Sequence, residues 1–289
     1  MTDINKQDIS ASVKDKHKQR VILNIVDHIA YVSLNRPEKH NGLDEAMIVG
    51  LIQTAKAIKK NHTIRCVILK GEGASFCSGL DFSYLVKHPS MIARFFCKLP
   101  WRKDNVFQRV ALVWRDLPIP VIASMHGNCF GAGVQLALGC DFRFATPDTK
   151  LSIMEIKWGL IPDMSATATL SRLTRVDIAQ ELTMTGRFFS GAEALEYGLV
   201  TRISRDPLAQ AQELALQLVE KSPDAISAAK KLFTKTWQKD TRAALFWERF
   251  IQLGLLGRKN QRIAMKQGLK KKQSSIEGQK SPFQNRGRF

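Results

Sequence analysis

The sequence predicts an α/β fold followed by a helical C-terminal region. A strand-like run, a glycine-containing loop and a helix-like segment occur in that order twice, beginning at Cys66 and at Val121. This alternation is typical of domains whose neighbouring strands pair in parallel. From Pro207 onward the pattern is nearly all helical. We expect those helices to cover the core or a partner subunit.

The N-terminal half supplies the elements of this domain in order. Apolar spacing predicts two strands of a hairpin, a helix and a third strand, at 21–26, 30–34, 43–60 and 66–69. Asp27 and His28 form the turn of the hairpin, and the loop NRPEKHNG follows it. The helix ends in two lysines, which suit a helix C-terminus because the backbone dipole is negative there.

The second repeat and the C-terminal region continue this order. The pattern predicts a helix at 105–117, which Pro118 and Pro120 close, and a strand at 121–125 that leads into the sequence HGNCFGAG. A short helix and two short strands follow, at 135–138, 142–144 and 151–153. Four predicted helices then form the C-terminal helical region, at 208–221, 223–238, 241–256 and 259–271.

Composition limits the class of protein. The chain has 289 residues, of which 44% are apolar and 24% charged, as in soluble globular proteins. It has no run of about 18 apolar residues that would span a membrane, and its first 20 residues lack the apolar segment of a secretory signal. Five cysteines without a Cys-x-x-Cys pair favour reduced thiols over a zinc site or a disulfide framework. We therefore expect a cytoplasmic protein without a metal.

The net charge of +18 is unevenly placed along the chain. From Arg258 to the C-terminus, ten Lys and Arg residues face the single acidic residue Glu277. A basic surface attracts polyanions such as nucleic acid, membrane headgroups or a phosphorylated cofactor. A solvated tail that keeps the protein soluble is the preferred interpretation.

The first glycine loop, GEGASFCSGLDF at 71–82, begins as a dinucleotide-binding loop does. Phe76, however, stands where that fingerprint requires a third glycine to let the helix pack on the strand. No Lys-Ser or Lys-Thr pair of a P-loop follows it. The loop therefore needs an explanation other than nucleotide binding.

Five segments, in order and in register, together resemble the enoyl-CoA hydratase/isomerase, or crotonase, superfamily. They are LNRPEKHNGLDEAM, the first glycine loop, PVIASMHGNCFGAGVQLALGCDFRFAT, LSIMEIKWGLIPDMSAT and SGAEALEYGLV. The resemblance runs from about Val21 to Lys271 and implies a crotonase-type spiral of repeated ββα units with a C-terminal helical trimerisation region. Four regions follow: a polar disordered lead-in at 1–19, a crotonase core with the active site at 20–205, a C-terminal helical region at 206–271 and a basic tail at 272–289.

The resemblance implies an oxyanion hole for a thioester enolate, built from the backbone amides of Leu80 and Ala132. Ala132 lies between two glycines at a helix start, where unpaired N–H groups and the helix dipole favour an anion. Gly79 and Gly131 let the backbone approach the thioester without a Cβ in the way.

Glu155 is the expected base. Relatives that hydrate use two glutamates, and here Gln135 fills the first position and Glu155 the second. An amide binds water but cannot accept its proton, which disfavours hydration, whereas one carboxylate suffices to move a proton between two carbons through a dienolate. Apolar neighbours are expected to raise the pKa of Glu155.

Asp163 has two interpretations of equal weight. In dienoyl-CoA isomerase-like relatives, an aspartate in this slot is a second active-site carboxylate, although their aspartate at the position of Gln135 is missing here. Asp163 also precedes MSATATL and would make a good helix N-cap.

The resemblance further implies residues that line the substrate and CoA channel. They are Lys39, His40, Ser78, Gly79, Asp81, Gly131 and Gln135. Asp81 is also expected to cap the helix after the first glycine loop. Coenzyme A is part of the substrate, and no redox cofactor is expected. Relatives form trimers, commonly paired into hexamers, so a homotrimer or a dimer of trimers is expected, with basic residues of the C-terminal helices at the CoA phosphates.

The sequence thus predicts double-bond isomerisation of an enoyl-CoA, of the Δ3–Δ2 or the dienoyl type. Enoyl-CoA hydration, as in fatty acid β-oxidation, is the alternative reaction. The alternative from another functional class is an RNA-binding relative of the crotonases. Its RNA phosphates would contact Lys56, Lys59, Lys60 and the lysines at 270–272. Aromatic residues that would stack bases are not interleaved with these lysines.

Overall fold

The computed structural model describes residues 19–271 and 282–287. Nearly all of the expected lead-in and most of the expected basic tail lie outside these residues. The strands are β1 Val21–Val26, β2 Ile29–Leu34, β3 Cys66–Gly71, β4 Val121–Met125, β5 Asn128–Phe130, β6 Phe142–Ala145, β7 Lys150–Ser152, β8 Phe189–Ser190 and β9 Arg202–Ile203. The helices are α1 Glu45–Lys60, α2 Phe82–Lys87, α3 Pro89–Phe96, α4 Val106–Arg115, α5 Ala132–Leu138, α6 Ala166–Leu170, α7 Val176–Thr185, α8 Gly191–Glu196, α9 Pro207–Val219, α10 Pro223–Thr236, α11 Thr241–Leu253 and α12 Lys259–Lys271.

Six strands form the larger sheet, in the order β1-β2-β3-β4-β6-β9. β1 pairs antiparallel with β2, and each further neighbour pairs parallel. The predicted hairpin and the predicted parallel pairing are therefore confirmed. Asp27 and His28 have φ values of 47° and 68°, the left-handed conformation that a two-residue hairpin turn requires.

A second sheet contains three short strands, in the order β5-β7-β8. The chain alternates between the two sheets, because β4 belongs to the larger sheet, β5 to the smaller one, and α5 follows. β6 and β7 repeat this step. The structure thus has the repeated ββα unit of the predicted crotonase-type fold. Parallel backbone pairing of Cys77 with Cys129, whose thiols are both free, joins the first glycine loop to β5.

The larger sheet is buried on both faces. α1 packs against β1 and β2 on one side, and α4 packs against α1. On the other side α9 packs against β3, β4 and β6, where Ala211 and Ala215 meet Ile68 and Ile122. All five residues of β4 are buried, so this strand is a near-continuous apolar run without alternation.

Five short helices lie in segments for which the apolar periodicity predicts no bounds. These are α2, α3, α6, α7 and α8, with five to ten residues each. Helices of this length contain too few turns for a period of 3.6 residues to be recognised. A capping box of Ser190 and Glu193 marks the start of α8, so capping residues were the available signal.

The tail segment, residues 282–287, packs against the body of the protein. Phe283 is buried, and Arg65 donates to its carbonyl oxygen at 2.6 Å. Gly287 N donates to Asp224 Oδ1 at 2.7 Å. The preferred interpretation of the basic tail as a solvated segment is therefore wrong for Phe283 and Arg286, which are buried against the body of the protein, whereas Pro282, Gln284 and Asn285 are exposed.

The C-terminal helices expose many large apolar side chains. On α10, α11 and α12 these include Phe233, Trp237, Leu245, Phe246, Phe250, Leu253, Met265 and Leu269. Clusters of this kind are typical of protein–protein contact. None of the helices in the described residues is both long enough and apolar enough to cross a membrane.

Candidate active site

A cavity of about 490 Å³ lies between the first glycine loop, the start of α5 and the segment after β7. Its lining contains four hydroxyl, amide or carboxyl side chains and is otherwise mostly apolar. Eight of the eleven predicted site residues line it: Ser78, Gly79, Leu80, Gly131, Ala132, Gln135, Glu155 and Asp163. The structure therefore brings most of the predicted site together in one place.

Backbone hydrogen bonds fix the relative positions of the lining segments. Cys77 N donates to Asn128 O at 3.1 Å, and Phe130 N donates to Cys77 O at 2.9 Å. The first glycine loop therefore runs as an extra strand beside β5. Gly131 N donates to Ser152 O at 2.8 Å, which ties the start of α5 to the end of β7.

Two glycines allow this close approach of backbone to backbone. Gly79 has a φ of +94°, and a Cβ on it would lie 2.9 Å from Phe130 O. A Cβ on Gly133, inside α5, would lie 2.5 Å from Cys77 O. Any larger residue at either position would push α5 away from the first glycine loop.

Leu80 and Ala132, the two residues whose amides are the predicted oxyanion hole, line the same cavity. The nitrogen of Ala132 is 3.6 Å from the point that a Cβ on Gly79 would occupy, and Leu80 is the next residue after Gly79. Within the described residues, neither N–H donates a hydrogen bond. Main-chain donors without an acceptor are uncommon in folded proteins, so two of them in residues that line one cavity favour an acceptor atom from a ligand.

Glu155 stands at the start of a single 3₁₀ turn after β7. Gln135 Nε2 donates to Glu155 Oε1 at 2.6 Å. Glu155 Oε2 is buried and finds no hydrogen-bond partner in the part of the chain that the structure describes. Burial raises the pKa of the Glu155 carboxyl, and the charge of Asp163 raises it further, against the opposing hydrogen bonds. The expected direction of this pKa is confirmed.

Gln135 is held in one orientation. Met164 N donates to Gln135 Oε1 at 2.8 Å. Because a main-chain N–H group can only donate, the amide oxygen faces Met164 and the amide nitrogen faces Glu155. Glu155 Oε1 is therefore an acceptor, and a proton taken up by this carboxyl resides on Oε2.

Asp163 lines the same cavity and is an electrostatic neighbour of Glu155. It does not cap the following helix, because α6 begins at Ala166 and its N-cap position is Ser165. The helix-cap interpretation of Asp163 is therefore wrong. Burial raises the pKa of the Asp163 carboxyl above its usual value.

Asp81 does not line the cavity. Its carboxylate accepts a hydrogen bond from Tyr84 N at 3.0 Å, as the cap of α2, and lies 2.8 Å from Arg36 Nη1. Burial opposes ionisation, but Ser83, the Tyr84 amide and Arg36 together lower the pKa of Asp81. The helix-cap prediction is confirmed, and the predicted contact of Asp81 with substrate finds no geometric support.

Lys39 and His40 are exposed and lie outside the cavity lining. Their backbone nevertheless contacts its rim, since Ser78 N donates to His40 O at 2.9 Å and Ser78 Oγ donates to Lys39 O at 3.2 Å. The loop after β2 therefore continues the same wall as Ser78.

Apolar side chains from α2, α3, α4 and the segment after β7 complete the cavity. Phe82 of α2 stacks on Trp158 with ring centroids 4.4 Å apart, and Phe107 of α4 packs edge-on against Phe96 of α3. All four rings line the cavity. Phe96 lines the cavity, while the adjacent Phe95 is buried in the core. Phe82 and Trp158 belong to segments that carry the family resemblance, and Phe107 belongs to the predicted helix at 105–117, but no local pattern indicates that their rings line one cavity.

The described residues contain no group of three or more His, Cys, Asp or Glu side chains that would hold a metal ion. The expected absence of a metal and of a redox cofactor stays a prediction.

The repeated ββα units and the two paired glycine loops define a protein of the crotonase fold class. A family model described as enoyl-CoA hydratase/isomerase matches residues 24–284. Among solved structures, an enoyl-CoA hydratase from Bacillus anthracis has a TM-score of 0.80 and 29% sequence identity, over 89% of this chain and 98% of that chain.

Two curated relatives resemble the chain over most of its length. A mitochondrial Delta(3,5)-Delta(2,4)-dienoyl-CoA isomerase of Rattus norvegicus is 36% identical over 217 residues, which are 70% of this chain and 64% of the isomerase. A short-chain-enoyl-CoA hydratase of Clostridium acetobutylicum is 30% identical over 231 residues, 79% of this chain and 86% of the hydratase. This protein belongs to the enoyl-CoA hydratase/isomerase family and is an enzyme of acyl-CoA metabolism.

Proposed function

We propose that this enzyme isomerises a double bond of an enoyl-CoA and that its preferred substrate is a dienoyl-CoA. The observation that carries the proposal is the hydrogen bond between Gln135 and Glu155. It leaves one carboxylate beside an amide that cannot accept a proton, where hydrating relatives are expected to have two glutamates. A proton shuttle needs only the carboxylate, whereas activation of water is expected to use both.

The amides of Leu80 and Ala132 hold the thioester oxygen in this proposal. Removing a proton next to the thioester carbonyl places negative charge on that oxygen. Two fixed N–H donors in a largely apolar cavity stabilise the charge, and one such donor typically contributes about 3 kcal/mol to the barrier. Their unpaired state supports this role, because a ligand oxygen satisfies both at once.

Glu155 Oε2 takes the proton. It is the carboxylate oxygen that has no hydrogen-bond partner within the described residues, and Glu155 is one of the residues that line the cavity. The C2–H bond of the acyl chain breaks, the proton binds to Oε2, and the electron pair moves through the conjugated system to the thioester oxygen. A raised pKa suits this task because it makes the carboxylate a stronger base.

Asp163 delivers a proton to the far carbon of the dienolate system. Its raised pKa keeps a larger fraction of it protonated before reaction. The electron pair returns from the thioester oxygen, a C–H bond forms at the far carbon with the proton of Asp163, and the double bonds shift toward the thioester. Proton exchange between the two neighbouring carboxyls restores the enzyme. A Δ3–Δ2 isomerisation would need Glu155 alone.

The CoA moiety extends from this cavity along the backbone of Lys39 and His40, which shares hydrogen bonds with Ser78. Coenzyme A arrives as part of the substrate, so the proposal needs no separate cofactor.

We further propose that the enzyme is a homotrimer, alone or as a dimer of trimers, and that it works in the cytoplasm. The exposed apolar side chains of α10, α11 and α12 support the assembly, because a subunit contact would remove them from water. Four of the five thiols are buried and all are free, which suits a reducing compartment.

Purified enzyme given 3,5-dienoyl-CoA, 3-enoyl-CoA and 2-enoyl-CoA in separate assays tests the reaction. We expect conversion of the dienoyl substrate to its 2,4-isomer at the highest kcat/KM, with slower conversion of 3-enoyl-CoA. Conversion of 2-enoyl-CoA alone, to its 3-hydroxy product, would show that the enzyme is a hydratase and that the isomerase proposal is wrong.

A further inference from the structure

A second cavity, of about 730 Å³, is lined by residues of α1, α4, α10 and the tail segment at 282–287. No residue lines both this cavity and the candidate active site. Its lining is strongly basic, with eight Lys or Arg side chains and one histidine: Lys59, His62, Lys103, Arg109, Arg115, Lys230, Lys231, Lys235 and Arg286. Among the described residues of the lining, Asp116 is the sole carboxylate.

Part of this positive charge is neutralised by ion pairs. Lys230 Nζ lies 2.6 Å from Asp141 Oδ2. Arg109 Nη1 bridges Asp104 and Asp116, at 3.1 Å and 2.8 Å, and Lys103 Nζ lies 3.3 Å from Asp116 Oδ2. Five cations of the lining have no carboxylate partner within the described residues: Lys59, Arg115, Lys231, Lys235 and Arg286. The cavity therefore carries an excess of positive charge.

Two of these cations hold buried N–H groups without a partner. Arg286 is 6% exposed, and its Nη2 donates to Lys59 O at 2.9 Å, while its Nε finds no acceptor in the described residues. The Nε of Arg115 is likewise buried and unpaired there. A further guanidinium, that of Arg172, lies near Arg115. Burial lowers the pKa of Arg172, and the positive charge of Arg115 lowers it further. Unpaired buried donors on like-charged groups are costly unless an anion binds them.

We propose that this second cavity binds a compact anion that carries adjacent phosphates, such as a diphosphate group. Five uncompensated cations exceed the charge of a single phosphate, and the planar guanidinium groups of two of them match phosphate oxygens. Phe, Tyr and Trp are absent from the described lining, so the platform on which single-stranded nucleic acid stacks its bases is missing. The anion would join α1 and α10 to the tail segment through Lys59, Lys231 and Arg286.

Calorimetric titration of the full-length protein with pyrophosphate and with ADP tests this site. The informative variant is Lys59→Gln with Lys231→Gln, which removes two uncompensated cations of the lining. The matched control is Lys56→Gln with Lys60→Gln, which removes two exposed α1 charges outside the lining. We expect the first pair to weaken pyrophosphate binding by about tenfold or more, and the control pair to change it by less than about twofold.

Hydrogen exchange supplies a second readout. Bound pyrophosphate should slow amide exchange in residues 282–287 of the unaltered protein, because Arg286 then contacts the ligand. Similar affinities for pyrophosphate and ADP would show that the cavity recognises the diphosphate alone. A tighter ADP complex would show that the nucleoside also contributes to binding. Either result supports the site.

Three results would overturn it. The first is no measurable binding, or equal losses in the two variant pairs, which would leave only general attraction to a basic surface. The second is binding of single-stranded RNA, but not of pyrophosphate, that the Lys59 and Lys231 pair abolishes. The third is a raised KM for the enoyl-CoA substrate in the Lys59→Gln, Lys231→Gln double variant. That result would assign the cavity to the phosphates of the substrate CoA.

Discussion

Gln135 Nε2 donates to Glu155 Oε1 at 2.6 Å, while Met164 N donates to Gln135 Oε1 at 2.8 Å. This chain of two hydrogen bonds fixes which oxygen of Glu155 accepts from Gln135, and it leaves the other, Oε2, without a partner in the described residues. Substitutions at this pair and in its surroundings test the proposed chemistry, and one substitution in the C-terminal helices tests the assembly.

Gln135→Glu should introduce hydratase activity. Two carboxyls at this separation cannot both ionise, so the pair shares one proton and gains a second group that can activate water. We expect formation of 3-hydroxyacyl-CoA from 2-enoyl-CoA to rise at least about tenfold, with a lower isomerase kcat. Gln135→Met is the control, because it removes both hydrogen bonds without adding a carboxyl. An equal gain of hydration in both variants would contradict the prediction.

Glu155→Gln should lower isomerase kcat by about 10²- to 10⁴-fold, the usual contribution of a general base. Glu196→Gln, an exposed glutamate of α8, is the control and should keep full activity. Steady-state assays with the best substrate measure the difference. Retention of more than about a tenth of the activity in Glu155→Gln would show that another group is the base.

The stability of Glu155→Gln relative to the unaltered protein should be greater at neutral pH than at acid pH. Folding raises the pKa of Glu155 above the ordinary value of 4.5, so the folded state favours the protonated carboxyl. Its contribution to stability is full below that value and is lost as pH rises through the folded-state pKa. Glu155→Gln has no such loss. We expect the Tm of the variant minus that of the unaltered protein to be larger at about pH 7 than at about pH 4, and the opposite order would refute the pKa direction.

Asp163→Asn should separate the two isomerisation reactions. The dienoyl reaction needs its proton, and the Δ3–Δ2 reaction needs only Glu155. We expect kcat for 3,5-dienoyl-CoA to fall about 10²-fold or more, and kcat for 3-enoyl-CoA by less than about tenfold. In the unaltered enzyme, the dienoyl reaction should also slow at alkaline pH, as Asp163 loses the proton that its raised pKa retains. Equal losses for both substrates would place Asp163 outside the chemistry.

Gly133→Ala should disturb the candidate oxyanion hole, because its Cβ would meet Cys77 O at 2.5 Å and move α5. We expect a loss of stability of about 1–3 kcal/mol and a fall in kcat with little change in KM. Gly268→Ala is the control: it is exposed on α12, and its Cβ would meet nothing within 4 Å. That change should be neutral or slightly stabilising, as thermal unfolding and assays of both variants will show.

Phe246→Asp should dissociate the proposed trimer. Phe246 is exposed on α11 and stacks with Phe250, so an aspartate there would place a charge in an apolar subunit contact. Analytical ultracentrifugation should show a shift from trimer or hexamer to monomer. Val26→Asp, at the exposed end of the hairpin, should leave the assembly intact. A monomeric unaltered protein would contradict the assembly itself.

Much of the larger sheet could be predicted from sequence because its signals are local. Apolar runs marked β1 to β4, and turn residues such as Asp27 and His28 fixed the hairpin. The bounds of the short helices α2, α3 and α6 could not be predicted, because helices of five to eight residues show too few turns of apolar periodicity. Phe82 and Phe107 entered the site for the same reason: packing against distant residues, not a local pattern, places them there.

The amino-acid sequence by itself determined the chemical groups of the site: glycines at positions that exclude a Cβ, an amide at 135 and carboxyls at 155 and 163. Tertiary structure decided which of these groups act together. It left Asp81 outside the cavity and placed Asp163 in its lining, and it turned the Gln135 amide toward Glu155. The physical reason is that burial, hydrogen-bond partners and pKa shifts depend on residues far apart in the chain, which only the folded protein brings into contact.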